Sequence, residues 1–121
     1  MFLDTFNFNA GATANDALWC GLPVLTKIGK SYPARMASSL LRALSLNELI
    51  AQSEEEYESL VKSLATDQAK LQSIRQKLVE SNEQSKLFDT KLFTEKLESA
   101  YEIVLGRFHE GHQPEDLILP G

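Results

Sequence analysis

The segment from Asn9 to Asp16 carries residue types that suit the binding of a phosphorylated ligand. It reads Asn-Ala-Gly-Ala-Thr-Ala-Asn-Asp, so it consists of small residues, contains a glycine and ends in a carboxylate. Small residues let a backbone come close to a phosphate, and the N–H groups at a helix N-terminus attract anions. The segment therefore predicts a site for a nucleotide-type ligand.

The same residues also fit a turn without any ligand. Thr13 and Asp16 have the Thr-x-x-Asp spacing of a capping pair, in which each side chain satisfies a backbone N–H of the first helical turn. A capped strand-to-helix turn is thus the structural alternative to a binding loop, and local spacing by itself favours it.

A strand–helix–strand unit places this segment in the fold. Phe2–Phe6 is aromatic-rich and predicts a strand, and a helix is expected from Thr13 to Cys20, ended by Gly21. Pro23–Thr26 is short, apolar and β-favouring, which is typical of a buried parallel strand. The carboxyl end of the first strand would then meet the N-terminus of the helix, where ligands bind in α/β folds.

The rest of the chain is predicted to be mostly helical. We expect one domain, with a βα part over residues 1–52, a helical part over residues 53–112 and a tail over residues 113–121. The spacing of apolar residues predicts a helix over Pro33–Ala43 and a brief third strand over Glu48–Ala51. Three further helices are expected: one capped by Ser53 and Glu56, one carrying Leu71, Ile74 and Leu78, and a last one capped by Asp89.

Composition limits the class of protein. With 121 residues, of which 43% are apolar, the chain has the size of one ordinary domain. Its net charge of −5 argues against binding to nucleic acid or to an anionic membrane. The chain shows neither a signal peptide nor an apolar run of roughly 20 residues, so we expect a soluble, cytoplasmic protein.

Several polar residues are interpreted as structural. Arg35 is expected at the surface, although it begins a helix near the predicted loop and would suit an anion. Cys20 is expected to be a buried thiol beside apolar neighbours and not a nucleophile. His109 and His112 have a metal-ligand spacing, but no Cys or third His is nearby, so a role at a helix end is favoured.

Three longer segments are interpreted in the same way. Glu54–Glu56 suits the first turn of a helix better than an acid/base cluster. Ser81–Ser85 is the one internal segment with the composition of a linker. Phe93, Tyr101 and Phe108 form an aromatic stripe that we expect to pack in the core.

Several ordered segments together resemble one enzyme family. These are Leu3-Asp4-Thr5-Phe6-Asn7-Phe8-Asn9, Asp16-Ala17-Leu18-Trp19-Cys20-Gly21-Leu22-Pro23-Val24-Leu25-Thr26, Ala34-Arg35-Met36-Ala37-Ser38-Ser39-Leu40-Leu41, Glu48-Leu49-Ile50-Ala51, Glu56-Tyr57 and Leu87-Phe88-Asp89-Thr90. They are similar to the O-linked N-acetylglucosamine transferases, including the Spindly-type and bacterial tetratricopeptide-linked members. The resemblance covers nearly the whole chain.

The resemblance implies both a fold and a function. The fold would be α/β: a partial Rossmann-like, three-layer unit from the C-terminal part of a GT-B glycosyltransferase, with about three short parallel strands and a helical C-terminal half. The implied ligand is a sugar-nucleotide donor of the UDP-N-acetylglucosamine type, without a further cofactor. A protein acceptor would be bound by the preceding regions of such an enzyme. The chain by itself would then be inactive, with no catalytic residue and no metal ligand of its own.

The resemblance also assigns roles to individual residues. Gly11, Ala12 and Thr13 match the segment that wraps the donor phosphates, and Asp16 matches the carboxylate that binds the ribose hydroxyls. A carboxylate can accept both hydrogen bonds of a vicinal diol. Many members have Gly-His-Thr-Thr where this chain reads Ala10-Gly11-Ala12-Thr13. An imidazole and one hydroxyl are therefore missing, and phosphate contacts at those positions are left to backbone N–H groups.

Two hypotheses of other classes stay open. The first is a non-catalytic interaction module whose helical half, residues 53–112, mediates assembly, including a homo-oligomer. Its motivation is the truncated sheet, which would leave a strand edge and apolar faces uncovered. The second is a small stand-alone nucleotide or phosphate sensor with a flavodoxin-like outline, which would need five or more parallel strands.

Overall fold

The computed structural model describes residues 1–119. The last two residues of the predicted tail, 120 and 121, lie outside the described residues. Contacts within the chain separate it into two compact units, Met1–Leu87 and Phe88–Gly121, which are described in turn. No helix among the described residues has the length and apolar character needed to cross a lipid bilayer.

The first unit is built on a small parallel sheet. Its strands are β1 (Phe2–Leu3), β2 (Val24–Lys27) and β3 (Ile50–Ala51), in the order β1-β2-β3. Phe2 is paired with Val24 in one ladder, and Thr26 is paired with Ile50 in the other. The predicted α/β fold with about three short parallel strands is confirmed. Because the described residues contain three strands and not five or more, the flavodoxin-like outline is wrong.

The first strand is shorter than predicted because the chain leaves the sheet at Asp4. The Asp4 N–H still donates to the Leu25 carbonyl at 3.0 Å. The Asp4 carboxylate then accepts a hydrogen bond from the backbone of the following loop, at Ala10, and this turns residues 5–11 away from the strand direction. A continuous strand to Phe6 is therefore excluded.

Four helices complete the first unit. They are α1 (Ala12–Trp19), α2 (Met36–Ala43), α3 (Glu54–Thr66) and α4 (Gln68–Gln84), and a single 3-10 turn, Pro33–Arg35, precedes α2. Gly21 follows α1 with a φ of 75°, the left-handed conformation that commonly ends a helix. The predicted Ser53 cap is confirmed, since its Oγ accepts a bond from the Glu56 N–H at 3.2 Å. Glu54–Glu56 form the first turn of α3, as predicted.

The predicted linker over Ser81–Ser85 is wrong. The last helix of this unit, α4, continues to Gln84 and ends at Ser85. Polar residues continue the helix here because one of them has a tertiary partner: Asn82 Nδ2 donates to the Leu18 carbonyl at the end of α1 at 2.8 Å. Near the middle of α4, Lys77 Nζ lies 2.6 Å from a Glu48 carboxylate oxygen.

A leucine-rich core joins the sheet to its helices. The central strand β2 is buried along almost its whole length, and it contacts α1, α2 and α3 as well as both neighbouring strands. The largest apolar side chains with less than 2% exposure are Leu18, Val24, Leu25, Leu41, Leu44, Leu46, Leu49, Leu64 and Leu78. Burial of each such side chain stabilises the fold by roughly 1.5–3 kcal/mol before entropy is subtracted.

The second unit is dominated by one long helix, α5 (Thr90–His109). Asp89 caps it, as predicted, since its carboxylate accepts from the Leu92 N–H at 2.9 Å. The prediction that its aromatic stripe packs in the core is wrong: Phe93, Tyr101 and Phe108 are 66%, 66% and 74% exposed. Helical periodicity reveals that a helix has an apolar face, but it does not reveal what covers that face.

The loop after β2 contains a close approach that requires glycine. A Cβ built on Gly29 would lie 2.5 Å from the Cβ of Ala34. The Gly29 N–H donates to the Ala34 carbonyl at 2.7 Å, and Arg35 Nη1 donates to the Gly29 carbonyl at 3.1 Å. These bonds fold the loop onto the start of α2.

Gly29→Ala is expected to destabilise the protein by about 1–3 kcal/mol, because the added methyl group must push the backbone at Ala34 aside. The matched control is Gly106→Ala, where an added Cβ meets no heavy atom within 4 Å. In a helix that change is expected to stabilise by roughly 0.5–1 kcal/mol. Urea unfolding followed by circular dichroism measures both. Equal midpoints for the two variants would contradict the steric explanation.

Candidate functional site

The predicted binding loop lies at the carboxyl end of β1 and leads directly into α1. Gly11 is the N-cap residue, and Ala12 and Thr13 are the first two helical residues, both exposed. Asp16 follows one turn later and is also exposed. Residues three or four positions apart share a face of a helix, so the Asp16 carboxylate lies on the same side of α1 as the first turn.

The predicted capping pair at Thr13 and Asp16 is wrong. The helix begins one residue earlier than expected, at Ala12, and its N-cap is Gly11, which has no side chain to accept a bond. The first intrahelical bond runs from the Asn15 N–H to the Gly11 carbonyl at 3.0 Å. The N–H groups of Ala12, Thr13 and Ala14 therefore have no hydrogen-bond acceptor within the helix.

A buried carboxylate holds the start of this loop. Asp4 is 5% exposed, and its Oδ1 accepts from the Ala10 N–H at 2.8 Å. Its Oδ2 accepts from the hydroxyl of Thr26, a fully buried residue of β2, at 2.7 Å. The two bonds connect the loop to the central strand.

Asn9 fixes a second point of the loop. It is 1% exposed, its Nδ2 donates to the Thr5 carbonyl at 2.7 Å, and its N–H donates to the Pro33 carbonyl at 2.9 Å. Its Oδ1 is buried without a hydrogen-bond partner among the described residues. The loop also packs near α2, since a Cβ on Gly11 would lie 3.7 Å from Met36 Cγ.

An aromatic and charged cluster lies against the backbone of Asp4. The Tyr57 hydroxyl donates to the Asp4 carbonyl at 3.2 Å, and the Tyr57 ring meets the Phe6 ring edge-on at 5.0 Å. Lys27 Nζ lies 4.4 Å from the centre of the Phe6 ring and 3.0 Å from a Glu54 carboxylate oxygen. Burial, and secondarily the negative charge of Asp4, raises the pKa of the Tyr57 phenol. Tyr57 therefore stays a hydrogen-bond donor at neutral pH.

The other residues weighed from the sequence do not converge on the loop. The Arg35 guanidinium donates a hydrogen bond to the Gly29 carbonyl. The prediction that Cys20 is a buried thiol is wrong: it is exposed, because it is the C-cap residue of α1. Within residues 1–119, no three His, Cys, Asp or Glu side chains are grouped so as to hold a metal ion. His112 Nε2 lies 3.7 Å from Glu110.

Sequence reasoning missed three supporting residues. Asp4 belongs to the segment that carries the family resemblance, but no role was expected for it, and neither Thr26 nor Tyr57 was connected with the loop. One local signal exists, namely a carboxylate directly after an apolar strand, where burial demands donors. One of those donors, the Thr26 hydroxyl, lies 22 residues away in sequence. The Tyr57 hydroxyl, which donates to the Asp4 carbonyl, lies 53 residues away.

The sheet and the loop define the class of protein. Parallel strands joined by helices, with a small-residue loop between the carboxyl end of β1 and a helix N-terminus, form a Rossmann-like α/β unit, in which ligands bind at that edge of the sheet. The family model described as "Glycosyl transferase family 41" matches residues 1–97. The chain belongs to glycosyl transferase family 41.

Known relatives agree with this assignment. The chain is 36% identical over 112 residues to the "Probable UDP-N-acetylglucosamine--peptide N-acetylglucosaminyltransferase SPINDLY" of Hordeum vulgare, and the match covers 93% of this chain and 12% of the relative. It is 35% identical over 109 residues to the "UDP-N-acetylglucosamine--peptide N-acetylglucosaminyltransferase" of Caenorhabditis elegans, covering 90% of this chain and 10% of that protein. The chain thus spans about one eighth or less of their length.

A solved structure supports the same fold. A variant of the O-GlcNAc transferase of Thermobaculum terrenum superimposes with a TM-score of 0.76 and 36% sequence identity, covering 82% of this chain and 19% of that chain. The resemblance to O-linked N-acetylglucosamine transferases, and the expected place in a GT-B fold, are confirmed.

Tyr57→Phe is expected to lower the free energy of unfolding by roughly 1 kcal/mol at neutral pH, because the Asp4 carbonyl loses a buried hydrogen-bond donor. Since the folded-state pKa of Tyr57 is raised, its protonated form favours the folded state. That contribution is complete below a pH of about 10 and is lost as the pH rises through the folded-state pKa.

Urea unfolding between about pH 9 and pH 11 measures this effect. The unfolding free energy of the unmodified chain should fall more steeply with pH than that of Tyr57→Phe. Tyr32→Phe, at a residue that is 78% exposed, is the matched control and should follow the unmodified chain. Parallel pH curves for the unmodified chain and Tyr57→Phe would contradict the assigned burial effect.

Proposed function

We propose that this chain is the C-terminal donor-binding portion of a protein O-GlcNAc transferase-like glycosyltransferase. The ligand would be a UDP-sugar of the UDP-N-acetylglucosamine type. The observation that carries the proposal is the start of α1, where first-turn N–H groups without a side-chain cap stand beside an exposed carboxylate in a family 41 chain.

The phosphates would be bound by the backbone of Gly11, Ala12 and Thr13. An uncapped helix N-terminus presents N–H donors and the positive end of the helix dipole, both of which favour an anion. Small side chains at these positions leave the backbone accessible. The Thr13 hydroxyl is exposed at the second helical position and supplies one further donor.

The ribose would be bound by Asp16. Its carboxylate is exposed, lies one turn after the first helical residue and is acceptor-only when ionised, so it can take both hydroxyls of a vicinal diol. Phosphates at the helix N-terminus and a ribose at Asp16 lie along one face of α1. This order suits a nucleoside diphosphate.

Transfer itself would require the remainder of the enzyme. The matched region makes up 12% and 10% of the two relatives named as peptide N-acetylglucosaminyltransferases. We propose that a protein acceptor binds to those other regions, and that the 121-residue chain has no transferase activity by itself. Detectable sugar transfer to a peptide by the isolated chain would contradict this.

The donor proposal predicts a defined set of shifted amides. Titration of the isotope-labelled chain with UDP to millimolar concentration should shift the amide resonances of Gly11, Thr13 and Asp16, because these residues contact the ligand. An absence of response at all three positions would contradict donor binding by this chain.

The role of Asp16 can be tested by pairing a variant with a modified ligand. Asp16→Asn should weaken UDP binding by about tenfold, because bonds from hydroxyls to a charged acceptor contribute about 1.5–3 kcal/mol. With 2′-deoxy-UDP, the loss of affinity caused by Asp16→Asn should be several-fold smaller, since that ligand already lacks one of the two hydroxyls that would bond to the carboxylate. Asp67→Asn, which makes the same charge change at the α4 N-cap, is the control and should bind like the unmodified chain.

A second candidate function is self-association through α5. Apolar side chains recur at intervals of three or four along this helix and are exposed: Phe93, Leu97, Tyr101, Val104 and Phe108. Exposed apolar stripes of this length mark interaction surfaces. We propose a second copy as the occupant, paired antiparallel with Tyr101 at its centre.

The spacing of apolar residues favours that pairing. Leu97 and Leu105 are each four residues from Tyr101, so Leu97 of one copy would face Leu105 of the other. Such self-complementarity is what a two-fold interface requires.

Sedimentation equilibrium tests the pairing. The unmodified chain should form dimers at high concentration, and Tyr101→Glu should shift the equilibrium to monomer because it places a charge at the centre of an apolar interface. The control is Ser99→Glu, which adds the same charge at an exposed polar position of α5. A chain that stays monomeric at about 1 mM, where even an interaction of about −4 kcal/mol would be visible, contradicts this candidate.

A further inference from the structure

The buried carboxylate of Asp4 connects two parts of the fold that are distant in sequence. Its Oδ1 accepts from the Ala10 N–H at 2.8 Å, and its Oδ2 accepts from the Thr26 hydroxyl at 2.7 Å. Ala10 directly precedes Gly11, the N-cap residue of α1. One side chain therefore spans the distance from the central strand to the first amides of the candidate phosphate-binding loop.

The sheet side of this connection is firmly held. Thr26 is fully buried in β2, and the Asp4 N–H donates to the Leu25 carbonyl at 3.0 Å. The Tyr57 hydroxyl of α3 donates to the Asp4 carbonyl at 3.2 Å. Asp4 is thus held by the central strand and by α3, and the position of the loop depends on Asp4.

Chemistry explains why a carboxylate is used here. A buried carboxylate is costly unless each oxygen has a donor, and bonds from neutral donors to a charged acceptor are stronger than neutral pairs. Both oxygens of Asp4 have a donor. Removing either donor leaves a buried oxygen unsatisfied, so the side chain resists movement of the Ala10 peptide away from the sheet.

The other fixed point of the loop does not replace this bond. Asn9 is attached to the Thr5 and Pro33 carbonyls through its own side chain and N–H. Those bonds fix Asn9 itself, but not the orientation of the peptide plane between Asn9 and Ala10. That orientation is set by the Ala10 N–H, which donates to Asp4.

We propose that Asp4 is a positioning residue, which orients the backbone N–H groups at the start of α1 for the donor phosphates, with Thr26 holding Asp4 in place. The inference rests on the proposed donor-binding function. Asp4 touches no ligand in this scheme. It acts by holding Ala10, the residue before the Gly11 cap, in its observed conformation.

The test uses Thr26, which acts on the loop only through Asp4. Thr26→Val removes the hydroxyl without changing the shape of the residue or its preference for a strand. Thr26→Ser keeps the hydroxyl and is the matched control. Amide hydrogen exchange of Ala10 and Gly11, and the dissociation constants of UDP and of uridine, are measured for each variant.

Thr26→Val should speed exchange at Ala10 and weaken UDP binding by about tenfold, the effect of misplacing one bond to a charged group. Uridine, which lacks phosphates, should bind equally well to Thr26→Val and the unmodified chain, and Thr26→Ser should keep Ala10 exchange slow. Asp4→Asn, which keeps the shape and one acceptor oxygen, is the second variant if Thr26→Val does not fold. It should change Ala10 exchange and UDP binding in the same direction.

Unchanged Ala10 exchange and unchanged UDP binding in Thr26→Val would overturn the inference, even if the variant were less stable. The double variant gives a second test. If Thr26→Val added to Asp4→Asn weakened UDP binding by more than about threefold beyond Asp4→Asn alone, the inference would also be overturned, since the Thr26 hydroxyl would then act independently of Asp4. If the unmodified chain binds no UDP, the proposed donor function fails by itself. The exchange rate at Ala10 then still decides whether Asp4 holds the loop.

Discussion

A buried carboxylate at the end of β1 is the interaction on which the candidate site depends. Asp4 could occupy an apolar interior only with a donor for each oxygen, and the two donors come from the central strand and from the loop. Satisfying that one group therefore determines where β1 stops and how the chain enters α1. The Tyr57 hydroxyl donates to the Asp4 carbonyl, and the Tyr57 ring packs edge-on against Phe6.

The helix that follows Asp4 begins differently from α3, α4 and α5. Ser53, Asp67 and Asp89 cap α3, α4 and α5 with side-chain oxygens, each worth about 1 kcal/mol. At α1 the cap position is held by Gly11, which offers no such acceptor. The N-terminus of α1 thus lacks the stabilisation of a side-chain cap, and an anionic ligand would supply the missing acceptors there.

The sequence predicted the elements better than their environments. Strand and helix positions followed from composition and spacing because these are local properties, and the family resemblance supplied the fold. The expected burial of Cys20 and Tyr101 was wrong, since both side chains are exposed. Apolar character shows that a residue favours burial, but the amount of surface available to cover it depends on packing partners that no local pattern contains.

By itself the sequence determined the α/β class, the family, the placement of a small-residue loop between β1 and α1, and the acidic net charge. Only the tertiary structure decided that the start of α1 is uncapped, that Asp4 joins Ala10 to Thr26, and that the apolar face of α5 is exposed. The reason is physical: propensity and periodicity act over a few residues, whereas a buried hydrogen bond needs two groups brought together across the fold.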